Sequence, residues 1–153
     1  MVALVWILAT MAPAVAATHS DPDDVSGRLD IRQVTRTFTN GPAAPPMIHL
    51  QATTYDAWTL EQCARDDSCS FTFAVNALRV YWAVHRGPRG KIRQTCLIFR
   101  NETVIAKGVS TKDRRSVFCS FEKRLLRGDG PVRWRVQSFW TETLDKAPDT
   151  GWY

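Results

Sequence analysis

Three aspartates, Asp21, Asp23 and Asp24, fall within four residues, and carboxylates so close together repel one another unless a cation or protons neutralise them. Calcium suits such a group, because it gathers about six to eight oxygen donors from carboxylates and loop carbonyls in a flexible geometry. The spacing is not that of an EF-hand loop. A second acidic stretch, Asp145 and Asp149 before Gly151, lies near the other end of the chain. Domain termini commonly meet in space, so these carboxylates are placed to converge with the first group. The competing reading is an acidic tail dissolved in water.

The second constellation is cationic. Arg79, Arg93, Arg133 and Arg135 occupy polar positions of three alternating segments, with Arg86, Arg89 and Lys91 in a turn. If those segments share a sheet, the arginines form one surface near Tyr81. Guanidinium forks match sulfate, phosphate and uronate groups. A formal charge of +5, from 20 Lys and Arg against 15 Asp and Glu, also points to anionic partners such as acidic polysaccharide, cell-wall polymer, lipid head groups or nucleic acid. Nothing marks a specific reader of nucleic acid. Tyr55 and Trp58, in a loop-like stretch, are candidates to stack on sugar rings, as are Trp140, Trp152 and Tyr153. Trp82 and Trp134 sit on apolar faces and belong in a core.

Catalytic signals are sparse. His19, His49 and His85 are scattered, and the chain has no G-x-S-x-G elbow, H-E-x-x-H helix or Gly-rich phosphate loop. A hydrolase would need His49 and His85 to meet beside Asp56 as acid and base. A glycosidase would need Asp56 opposed to Glu61 or Glu142.

The elements that must position these groups follow from the patterning. Met1 to Ala17 form a short apolar run ending in small residues, which reads as a secretory signal peptide (1–17) cut after Ala16 or Ala17, without the usual leading Lys or Arg. It is too short to span a bilayer, and no second apolar run follows, so no integral membrane span is expected. Residues 18–153 then make one secreted, extracellular domain. Export implies an oxidising compartment, in which the four cysteines pair. Of three possible pairings, the expected one is Cys63 with Cys69, across a short polar loop, and Cys96 with Cys119. No zinc-ligand spacing is present.

Period-two alternation dominates and no segment holds a helical stripe for three turns, so the domain is expected to be all-β. A parity shift between Ile31 and Val34 implies a bulge near Arg32 and Gln33. Further strands are read at Ile48 to Thr53, Phe71 to Val75, Leu78 to His85, Ile92 to Phe99, Thr103 to Val109, Val117 to Phe121 and Val132 to Ser138, with a tight turn at Asn101-Glu102. About eight short strands with turns between them fit a disulfide-stabilised two-sheet β-sandwich or jelly roll.

The ordered set Asp21-Pro-Asp-Asp-Val-Ser-Gly-Arg-Leu-Asp-Ile-Arg32, Thr53-Thr-Tyr-Asp-Ala-Trp58, Arg133-Trp-Arg135 and Asp145-Lys-Ala-Pro-Asp-Thr-Gly151 resembles a group of exported actinobacterial proteins of unknown function. The acidic run followed by Gly-x-Leu-Asp-Ile is more distantly similar to the start of calcium-supported β-sandwich modules joined to secreted glycosidases. This resemblance implies a β-sandwich with calcium on Asp21, Asp23 and Asp24, and supplies no activity. Where that group tends to carry an acidic, glycine-containing turn, this chain has Val75-Asn76-Ala77-Leu78. The expectation is therefore a secreted non-catalytic module that binds surface or anionic polysaccharide. A small hydrolase and a protein-binding or inhibitory module are the alternatives.

Overall fold

A computed structural model describes residues 15–41, 44–65, 69–128 and 130–153. Ten strands are present among them: β1 (Val15–Ser20), β2 (Ile31–Thr39), β3 (Met47–Thr54), β4 (Cys69–Val75), β5 (Leu78–Arg86), β6 (Ile92–Arg100), β7 (Thr103–Lys112), β8 (Ser116–Glu122), β9 (Trp134–Trp140) and β10 (Thr143–Ala147). One short helix, α1 (Leu60–Arg65), precedes β4. The all-β expectation holds, with ten strands in place of eight. Those not anticipated are β1 and β10, while most of the predicted leader (1–14) lies outside the described residues.

All pairings are antiparallel, and the strands form one curled sheet in the order β1-β2-β3-β8-β7-β6-β5-β4-β9-β10. Alternation decides which side faces in. On β3, Ile48, Leu50 and Ala52 are buried while His49, Gln51 and Thr53 are partly exposed. The same rule on the other strands gathers Phe71, Phe73, Trp82, Ile98, Val117 and Trp134 into one core. The bulge falls where parity predicted it, with the β2–β3 register shifting between Ile31 and Gln33.

The sheet turns its corner at β7. Residues Thr103 to Gly108 pair with β6, whereas Val109 to Lys112 pair with β8. The Cys96–Cys119 disulfide joins β6 to β8 beneath this corner. A Cβ on Gly108 would lie 2.6 Å from the Ser120 carbonyl oxygen and 2.8 Å from Cys96 Sγ, so only glycine lets the strand pass this close. The Asn101-Glu102 tip has both residues at positive φ, 47° and 63°, as a two-residue type I′ hairpin requires.

Helix α1 rests on a reciprocal cap. The Gln62 backbone N–H donates to Thr59 Oγ1 at 3.1 Å, and the Thr59 N–H donates to Gln62 Oε1 at 2.8 Å. This is the T-x-x-Q capping box. The Cys63–Cys69 disulfide then ties the helix to β4, and both pairings are those expected from the sequence.

Candidate functional site

The two acidic segments converge. Carboxylate oxygens of Asp24, Asp30 and Asp145 lie within 4.8 Å of one another, with Asp30 and Asp145 buried and Asp24 exposed. Three elements set this geometry. The loop before β2 carries Asp24, the residue preceding β2 is Asp30, and β10 carries Asp145. Asp145 Oδ2 accepts from the Ile31 backbone N–H at 2.5 Å and its Oδ1 from the Lys146 N–H at 2.6 Å. The loop is braced from below by Tyr55, whose hydroxyl donates to the Asp21 carbonyl at 2.7 Å and whose N–H donates to the Asp30 carbonyl at 3.0 Å. Ser138 adds a hydrogen bond to the Leu29 carbonyl at 2.6 Å.

Electrostatics at this junction are unfavourable for four ionised carboxylates. Burial, then the charges of Asp145 and Asp149, push Asp21 up to about 7. Burial, then the side chain of Asp23 and the charge of Asp145, push Asp30 up to about 7. Burial also raises Asp145, opposed by its two backbone hydrogen bonds. Asp21 and Asp30 retain only 6% and 3% of their exposure, and Asp21 Oδ2 and Asp30 Oδ1 have no hydrogen-bond partner among the described residues. The oxygen-only donor set fits a hard cation such as calcium. Of Asp21, Asp23 and Asp24, the residues expected to hold calcium, Asp24 falls in this group; Asp145 joins it from the other end of the chain, as convergence of the two acidic stretches implied, and Asp30 is the addition. Asp30 stood in the quoted motif without an assigned role.

The arginines occupy one sheet face but not one patch. Arg79 and Arg135 both lie opposite Ala74, on β5 and β9, which puts them two strand spacings, about 10 Å, apart. Arg93 pairs with His85, six residues along β5 from Arg79, or about 20 Å away. Arg79 is partly neutralised by Glu102 at 2.8 Å and covers the Phe99 ring. Tyr81 lies between, half-buried on the same face.

Arg133 and Arg135 gather instead around Trp152, with guanidinium carbons 5.8 and 4.9 Å from the centre of its ring. Trp152 is 37% exposed. With Asn76, Pro131 and Arg133 it lines an open pocket of about 420 Å³. Reciprocal hydrogen bonds fix this rim, from the Asn76 N–H to the Arg133 carbonyl at 2.9 Å and from the Arg133 N–H to Asn76 Oδ1 at 2.8 Å. The neighbouring Tyr153 N–H donates to the Trp134 carbonyl at 2.9 Å, and its ring stacks on His19 at 4.0 Å.

Two aromatic candidates are relocated. Trp58 is 3% exposed and forms an edge contact with Trp82 in the core, so it is not the loop ring expected to meet sugar. Tyr55 spends its hydroxyl on the acidic loop. The histidine arrangement is not assembled either. His49 bonds Thr39 and Ser120 through its two ring nitrogens, and strands β8, β7 and β6 separate β3 from His85 on β5. No protein-family model, curated protein or solved structure matches the chain.

Proposed function

We propose that the protein is a secreted, non-catalytic binding module for an anionic polysaccharide at a cell surface. The single observation that carries this reading is the exposed Trp152 flanked by the guanidinium groups of Arg133 and Arg135 beside an open pocket. An indole offers a flat apolar face to the C–H face of a sugar ring, and paired guanidinium groups meet the carboxylate or sulfate that such a polymer carries. Two disulfides support export, because paired thiols persist in oxidising compartments. No helix among the described residues is long and apolar enough to cross a membrane. The curled sheet is read as a sandwich whose two layers share β7, a scaffold that leaves its outer faces for ligands.

The test is titration of the protein with polygalacturonate, heparin and a neutral glucan, followed by Trp fluorescence. Binding to the acidic polymers that weakens at least tenfold in Arg135→Ala and in Trp152→Ala, with the glucan weak throughout, is the expected result. Acidic-polymer binding unaffected by either substitution, or none at all, overturns the reading.

A further inference from the structure

We infer that Asp24, Asp30 and Asp145 bind one calcium ion, which fastens β10 and the loop before β2 to each other. The inference does not depend on the polysaccharide reading. Its first support is convergence: donors from both ends of the domain bring their oxygens within 4.8 Å. That spread is no larger than the about 4.8 Å separating two oxygens opposed across calcium at bond lengths near 2.4 Å.

The second support is independent of the clustering. Asp30 is 97% buried by its 3% exposure, yet its Oδ1 accepts no hydrogen bond among the described residues, and the same holds for Oδ2 of the buried Asp21 beside it. A buried carboxylate oxygen without a donor is costly, and a metal ion is the partner that satisfies it. No basic side chain takes that role: among the described residues the carboxylate ion pairs are Arg79 with Glu102 and Arg124 with Glu122, both elsewhere. The three candidate donors are all carboxylate oxygens, which suits a hard cation. Three protein carboxylates favour calcium over magnesium, which usually keeps several waters and takes one or two.

The experiment uses the full secreted chain, stripped with EDTA and buffered at pH 7.5. Calcium at millimolar levels should raise the melting temperature by several degrees, with magnesium weaker at equal concentration. Terbium should bind in place of calcium and luminesce through Tyr55, whose hydroxyl is bonded to the Asp21 carbonyl. Asp24 is exposed, so Asp24→Asn should fold in EDTA as the native chain does. Its midpoint for calcium should move at least tenfold higher, while Glu142→Gln, a charge change at the exposed β9–β10 turn, keeps the native midpoint. Superimposable melts with calcium and EDTA overturn the inference. So does a calcium shift that survives Asp24→Asn and Asp30→Asn unchanged. Stabilisation by acid alone, with no calcium response, overturns it too and assigns the buried oxygens to protons.

Discussion

Asp21 shows how one side chain sets the local electrostatics. Its carboxyl is buried among Asp145, Asp149, Asp24 and Asp30 and is held near 7, against an ordinary value of 3.8. In the metal-free protein the folded state thus keeps its proton more tightly than the unfolded chain. The contribution to stability is full below about pH 4, falls as pH rises to about 7, and stays flat above. We predict that, in EDTA, Asp21→Asn melts at a higher temperature than the native chain at pH 8 and that the advantage shrinks towards pH 4. Parallel melting profiles for the two proteins would show that the buried charge is not felt. Part of this site was legible: clustered aspartates at the two ends invited convergence. Asp30 was not, because a single carboxylate ahead of a strand looks like any polar flank until β10 brings Asp145 alongside it.

At the level of elements, alternation located the long strands and failed where polarity is inverted. On β10 the apolar Leu144 is 43% exposed while Asp145 keeps 3%, so the strand reads as a polar loop unless the acidic junction is known. β1 consists of small and polar residues that read as a processing site. α1 is too short to show a stripe, although its T-x-x-Q box was a usable signal. Thr59→Ala, which removes one half of that box, is expected to cost about 1 kcal/mol in urea unfolding. Gly108→Ala is expected to cost more, roughly 1–3 kcal/mol of overpacking, because its new methyl meets a backbone oxygen and a disulfide sulfur, neither of which can swing away. A Gly108→Ala protein with native stability would mean that the corner of β7 can relax.

Across the whole molecule, the two disulfides do different jobs. Cys63–Cys69 closes a separation of 6 residues beside α1, whereas Cys96–Cys119 closes 23 and spans the corner at which the sheet changes partners. Removing the longer bridge as Cys96→Ala with Cys119→Ala is predicted to cost about 3 kcal/mol on a chain-entropy basis. The shorter bridge should cost less, and denaturant curves on the two double variants check the order. The pairing is the one expected among three that the sequence left open, and the single core follows from patterning. Trp152 was recognised as an aromatic candidate, but its partnership with Arg133 and Arg135 was not, since only the return of the C-terminal segment alongside Trp134 brings them together.

The position of β1 decides what a cut at the expected leader boundary would do to the sheet. Val15, Ala16 and Ala17 pair with Phe38, Thr37 and Arg36 along the margin of the sheet. A peptidase cut after Ala17 would strip those three rungs and leave Thr18, His19 and Ser20 in the ladder. The backbone of Arg36 to Phe38 would then be a vacant template on one side, the kind of margin to which an extended strand from another chain adds. Because β1 is itself the first strand in the sheet order, such a cut would move the open margin from β1 onto β2 along those three rungs.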